Sequence, residues 1–373
     1  MEFGVIVQGY APAFKAEGNP RHEHDVLMAD VERVKAADQC GFKYAWATEH
    51  HFLEEYSHLS ANGEFLAFCG AQTSRLHLGS AIFNPLAQVN HPVKVAERVT
   101  MMDHLTQGRF EFGTGRGAGS HEILGFIPGM NDLNGTKAIW EETIGEFPKM
   151  FLQEEYEGFE GKYWSLPPRK IFPKPLGAGH PAMWYAAGNP ASYEMAARKG
   201  LGVLGFSVGK LADLDPVIKA YKKAIVNAEP IGAFVNDNVL CVTGVFVHED
   251  ARKAREKALR SRLSYMTSNA FRYHDSFPHP AGVPVWPDLI PDYDLDGIEA
   301  LIESGGLICG TPDEVAQQCK RWESAGLDQL AFSLGMASLE EDKETLRLLG
   351  EHVVPQLDTD PVHRTTRFRR QAS

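Results

Sequence analysis

The run Glu49-His50-His51-Phe52 is the first place in this chain where residue types could do chemistry. A histidine titrates near neutrality and can act as a general acid or base. Two histidines beside a carboxylate also invite a metal, but neighbours on an extended chain point to opposite sides. The run therefore predicts one inward, chemical histidine and one structural one, and no metal centre. His22-Glu23-His24 reads as a solvated loop ahead of a helix.

A second candidate is Gly113-Thr-Gly-Arg-Gly-Ala-Gly119. It fails as a dinucleotide fingerprint, because it lies far from the first βα unit and carries Arg116 in its turn. Its glycines would let a flat ligand or a phosphate approach the backbone, and Arg116 could pair with an anion. A plain tight loop is the alternative. The third candidate is Gly188-Asn189-Pro190-Ala191-Ser192, which opens a helix. Helix N-termini attract phosphate. Pro190 removes one donor and Ser192 adds a hydroxyl, although a good cap would look the same.

All three candidates follow predicted strands. Short apolar runs at Phe3–Val7, Tyr44–Thr48, Leu76–Ile82, Arg109–Thr114, Met183–Ala187, Gly202–Phe206, Val239–Val247 and Gln329–Leu334 alternate with amphipathic stretches. Such runs suit parallel strands covered on both faces. Helices are signalled by Leu27, Val31 and Val34 at helical spacing, by His91-Pro92, and by the capping box Thr311-Pro-Asp-Glu314. Eight strands alternating with helices predict an α/β fold, a single (β/α)8 TIM barrel with long loop insertions. An open doubly wound sheet is the rival. In a barrel, chemistry belongs at the C-terminal strand ends. Two long connections break the rhythm, Glu154–Pro181 and Asn269–Gly306. The second is a candidate mobile lid. The barrel is expected over residues 1–357. A basic tail over 358–373, with Arg364, Arg367, Arg369 and Arg370, is expected to be solvated and frayed.

Bulk composition narrows the function. The chain has 373 residues, 43% of them hydrophobic, which is enough for a sizeable core. A net charge of -12 argues against nucleic acid. The five cysteines include no C-x-x-C, which argues against a disulfide framework or structural zinc. No signal peptide and no apolar stretch of membrane-spanning length is seen. A cytoplasmic location is expected, with no membrane partner.

Taken in order, the three strand ends resemble the bacterial luciferase-like monooxygenase family. The match begins at Met1-Glu-Phe-Gly and runs through Gly41-Phe42, Trp46 and Glu49-His-His-Phe52. It continues through His91-Pro92, Ala96-Glu97, Asp103–Phe110 and Phe112–Gly117. It ends with Gly310–Glu314 and Ala325–Asp328. The block from His91 to Gly117 is the most specific, and E-H-H-F points to the flavin mononucleotide (FMN) branch.

The resemblance implies a two-component, FMN-dependent monooxygenase. Reduced FMN would come from a separate NAD(P)H:flavin reductase and react with O2 to a flavin C4a-peroxide, which oxygenates a small, fairly apolar substrate. His50 matches the family's catalytic histidine. Ser80, Ala81 and Ile82 would lie against the flavin ring, with a cis peptide between Ala81 and Ile82. Gly115, Arg116 and Ala186 would face the cofactor, and Gly188, Asn189 and Ser192 would hold its phosphate. Aromatics near strand ends, Phe14, Trp46, Phe52, Phe83 and Phe206, could keep the substrate pocket dry. The family commonly forms homodimers. This chain departs from the family where luciferases carry a cysteine at Gly115 and an acidic residue at Gly188, and in a longer loop over Phe83–Asn90. An F420-dependent hydride-transferring oxidoreductase on the same barrel is the alternative.

Overall fold

A computed structural model describes residues 1–372 except 118, 131, 133, 207–209, 276–278 and 280. Nine strands form one parallel sheet: β1 (Glu2–Val7), β2 (Tyr44–Ala47), β3 (His77–Ser80), β4 (Phe110–Thr114), β5 (Ala182–Ala187), β6 (Gly202–Phe206), β7 (Val239–Val247), β8 (Leu307–Gly310) and β9 (Gln329–Ser333). β1 pairs with both β2 and β9, and β6 pairs with β7, so eight of the strands close into the expected barrel.

The ninth strand, β8, corrects the sequence reading, which left Leu307–Gly310 out of the sheet. Gly244 pairs with Ser333 on one side and with Leu307 on the other. β8 thus takes over the edge that β6 leaves at Val242. A nine-residue strand is long enough to serve the barrel with its first half and an outer pair with its second.

Side-chain alternation sorts the strands into two layers. Ile6, Trp46, Trp184, Leu204, Leu240, Val242 and Ala331 pack inside the barrel. The opposite faces carry residues such as Val5, Leu78, Phe110, Phe112, Val203 and Phe332 into the main core under the helices. Trp46 and Trp184 meet edge to face at 5.2 Å across the interior. Gly79 makes room for them, since a Cβ there would stand 2.2 Å from the Trp46 ring.

The N-terminal end of the barrel is polar and sealed. Trp184 Nε1 and Thr365 Oγ1 both donate to Glu111, at 2.8 and 2.6 Å, and His77 Nδ1 lies 2.7 Å from the same carboxylate. Thr365 belongs to the helix Arg364–Arg370, in the segment expected to fray. Arg369 forms a bidentate pair with fully buried Asp103, both bonds at 2.7 Å, and Arg364 bonds Asn238 and Asp328. The tail is therefore an ordered plug. Its basic residues find carboxylates that only the folded barrel assembles.

The 269–306 segment is helical at both ends and irregular between them among the described residues. The helix Leu263–Tyr273 runs into it and the helix Leu295–Ser304 closes it, while residues 276–278 and 280 lie outside the described set. The Glu154–Pro181 connection holds a two-residue hairpin pair, Phe159–Glu160 with Ser165–Leu166. His22 and His24 open the helix His22–Gln39 instead of preceding it. The Thr311–Glu314 capping box is formed as read. Among the described residues, no helix is long and apolar enough to cross a membrane.

Candidate active site

A cavity of about 620 Å³ opens at the C-terminal ends of the strands. Its floor is the apolar top layer of the barrel interior, with Ile6, Trp46, Leu204, Leu240 and Val242. The stretches around His50, Arg116 and Asn189 all reach this rim.

His50 stands three residues beyond β2. Its Nδ1 lies 3.1 Å from Glu122 Oε1, and the same oxygen accepts the His51 backbone N–H at 2.7 Å. Burial alone would raise the Glu122 carboxyl. The charge and hydrogen bond of His50, with His274 and the His51 amide adding to them, outweigh it and hold the carboxyl below its usual range. His51 also lines the cavity but pairs with Glu49 at 3.2 Å, and Asn90 donates to Glu49 as well. The two adjacent histidines thus have separate carboxylate partners.

A third histidine completes the group. His274 follows the helix Leu263–Tyr273, and its ring centroid lies 4.9 Å from that of His50. Tyr56 packs against both rings, at 5.6 and 5.1 Å. Burial, and next the neighbouring His50, push His274 down to about 3 against the pull of Glu122, so it is neutral near pH 7.

The glycine run has two uses. Gly115 faces Ile82 and Ala186, and a Cβ there would lie 2.7 Å from Ile82 Cδ1. Gly119 serves packing instead of ligand approach, because a Cβ there would lie 1.6 Å from the Tyr273 carbonyl oxygen. The end of the Leu263–Tyr273 helix rests directly on this glycine. Asp275, two residues on, accepts the Ser120 amide at 2.8 Å and so caps the helix Ser120–Phe126, which carries Glu122.

Arg116 donates to Thr136 Oγ1 at 2.9 Å and bonds Tyr185. At the helix Pro190–Arg198, Asn189 Oδ1 accepts the Ser192 amide at 3.1 Å, and Ser192 Oγ accepts the Asn189 amide at 3.2 Å. This reciprocal box occupies two of the groups expected for a phosphate. Ser192 Oγ donates its own proton to the Asn189 carbonyl at 2.6 Å, and an anion accepting from this hydroxyl would have to replace that bond. Lys210 also lines the mouth.

Among the sequence-selected residues, the cavity gathers His50, Ala81, Ile82, Gly115, Arg116, Ala186, Gly188, Asn189, Ser192, Trp46 and Phe206. The Ala81–Ile82 peptide is cis. Four residues fall elsewhere. Ser80 is buried and clips β3 to β4, donating to the Gly113 carbonyl at 2.9 Å, because alternation turns Gly79 and Ala81 inward and Ser80 outward. Phe83 is buried among Phe110 and Phe112 on the helix side of the sheet. Phe14 packs outside the cavity, edge to face on Tyr265. Phe52 is 55% exposed and packs on Phe126, which lines the cavity in its place. Glu122, His274, Lys210 and Tyr56 were missed.

A flat ring suits this site. Ala81, Ile82, Gly115 and Ala186 add small or aliphatic lining to the apolar floor, and Arg116, Asn189 and Ser192 line the same cavity with polar groups for an anionic tail.

Comparison with known proteins gives the family and the fold. The family model for luciferase-like monooxygenases matches residues 1–329. The oxygenase component of the flavin-dependent trigonelline monooxygenase of Acinetobacter baylyi is 24% identical over 339 residues, covering 90% of this chain and 91% of that one. Monooxygenase RslO1 from Streptomyces bottropensis superposes with a TM-score of 0.78 at 22% identity, covering 95% of this chain and 99% of that one. The oxygenating constituent of 3,6-diketocamphane monooxygenase from Pseudomonas putida, in complex with FMN, gives a TM-score of 0.72 at 18% identity, with 95% and 98% covered.

Proposed function

The chain belongs to the luciferase-like monooxygenase family, a family of flavin-dependent enzymes, and we propose that it is the oxygenase component of a two-component system using reduced FMN. The observation that carries this reading is the convergence of His50, the Ala81–Ile82 edge, Gly115–Arg116 and Gly188–Ser192 on one cavity. The named relative that is an oxygenase component, and the fold neighbour bound to FMN, support it. A separate flavin reductase would supply the cofactor.

Reduced flavin, once bound, supplies the electrons and activates dioxygen, so that one oxygen atom enters the substrate. The protein's own residues do the rest. Ala81, Ile82, Gly115 and Ala186 bind the ring. Arg116, Gly188, Asn189 and Ser192 bind the phosphate. His50 moves the proton through Nε2, since its Nδ1 faces Glu122. Glu122 fixes the ring by its contact with Nδ1, as a carboxylate does for a catalytic histidine. The helices Leu263–Tyr273 and Leu295–Ser304 supply Leu263, Met266, Ala270 and Leu301 as an apolar wall that excludes water. That wall suits a small, fairly apolar substrate.

The test is His50→Ala. It should keep FMN affinity and lose coupled product, with hydrogen peroxide formed instead. Full product yield would remove His50 from the mechanism. Tighter equilibrium binding of F420 than of FMN would replace the monooxygenase reading with hydride transfer.

A further inference from the structure

His50, Glu122 and His274 come from three distant segments, and their donor atoms all lie within 4.8 Å of one another in the cavity wall. We propose that they form a binding site for a divalent transition-metal cation of the zinc class, and that the cation, by occupying His50, turns the enzyme off.

The donor set comes first. Two imidazoles and one carboxylate suit borderline cations such as zinc, whereas magnesium and calcium ask for oxygen. The spacing follows. Donors around a tetrahedral zinc at about 2.0–2.2 Å stand about 3.3 Å apart. His50 Nδ1 and Glu122 Oε1 are already 3.1 Å apart. Drawing in the third donor from at most 4.8 Å takes a shift of about 1–1.5 Å, within reach of side-chain rotation.

The supports are built in. The His51 amide holds Glu122 Oε1 at 2.7 Å, the outer-shell contact that orients a ligating carboxylate. His274 is fixed between the Tyr273 carbonyl, seated on Gly119, and Asp275, which caps Ser120 on the helix that carries Glu122. The His274 and Glu122 segments are thus tied together at the point where their side chains meet. Three protein ligands leave a coordination position for water from the cavity. A cation here would take Glu122 from His50, and His50 would lose its freedom to move a proton. Only that consequence rests on the function proposed above.

The test is titration of the full-length protein with cobalt(II), which has visible absorption bands in tetrahedral sites. One equivalent should produce the bands and zinc should displace them. His274→Ala and Glu122→Gln should each weaken cobalt binding tenfold or more. His58→Ala, at the surface pair with Glu23, should leave it unchanged. Circular dichroism checks folding, and the near-isosteric Glu122→Gln keeps the test decisive if His274→Ala unfolds. Zinc should abolish coupled product at the concentration that displaces cobalt. Absent bands, or bands unchanged in both variants, overturn the site. Binding without loss of product overturns the off-switch. Neither result bears on the oxygenation reading, which stands or falls with coupling in His50→Ala.

Discussion

Replacing Glu122 by Gln removes one charge and almost no volume. Glu122 is 5% exposed, and its Oε1 serves both His50 Nδ1 at 3.1 Å and the His51 amide at 2.7 Å. A glutamine oxygen can still accept the amide, so the loop after β2 should keep its shape. What disappears is the attraction for a positively charged His50 ring. At 3.1 Å and an effective dielectric of about 20, two unit charges attract by about 5 kcal/mol. His50 is 14% exposed in its side chain, so water screens part of this, and a neutral acceptor still gives a hydrogen bond. A net loss of about 2–3 kcal/mol remains for any step in which His50 becomes cationic, or roughly a 30- to 150-fold slower step. The assay is a single turnover with pre-reduced FMN, oxygen and an accepted substrate, following product and peroxide. FMN affinity should stay within about twofold, because the bonds of Glu122 go to His50 and the His51 amide and the substitution adds no bulk to the cavity. Product formation within twofold of wild type, with FMN bound normally, would refute the pairing of Glu122 with a proton-moving His50.

Three further outcomes are expected. Gly115→Ala puts a Cβ 2.7 Å from Ile82 Cδ1 and drives that methyl toward the ring slot, so FMN affinity should fall about tenfold in a fluorescence titration, at the mild end of overpacking costs. Arg369→Ala leaves Asp103 buried without its cation, at a cost of about 3–5 kcal/mol, which lowers Tm by about 4–6 °C for a chain of 373 residues in calorimetry. Chemical denaturation at a series of pH values should find greatest stability near pH 6.5. Burial holds His77 at about 3, His180 at about 4 and His363 at about 2. Below pH 6.5 the unfolded chain binds protons these rings refuse, so stability falls as pH drops. Burial lifts Glu111 to about 8, so the folded state binds the extra proton between pH 4.5 and 8, and this group's contribution declines as pH rises through that window. Glu111→Gln should flatten the decline above pH 6.5, and His363→Phe should make the acid limb shallower.

What the sequence determined by itself is local. Eight short β-rich runs, each followed by an amphipathic stretch, dictate a barrel because each strand needs cover on both faces and each helix needs one apolar face buried. Strand ends then mark the rim, which is how the Glu49–Phe52 run, the glycine run with Arg116 and the Gly188–Ser192 stretch could be singled out before any coordinates, while the choice of His50, Gly115 and Ala186 within the site came from the family resemblance. Which face a residue takes beyond a strand end is not local. Ser80 and Phe83 flank the inward pair Ala81–Ile82 yet point outward, and Phe52 leaves the rim at a positive φ of 65°. Neighbourhood in sequence placed all three in the site, and the direction of the backbone took them out.

The tertiary structure alone decided the rest. Glu122 and His274 meet because a helix end can rest on Gly119, a contact between segments some 150 residues apart in the chain. No periodicity within either segment records it. Leu307–Gly310 becomes a strand only because β7 outruns β6, and the basic tail becomes a plug only because Asp103, Glu111 and Asp328 are gathered at one end of the barrel. Propensity and pattern act over a few residues, whereas paired charges, shared sheet edges and docked backbones exist only once the chain has closed.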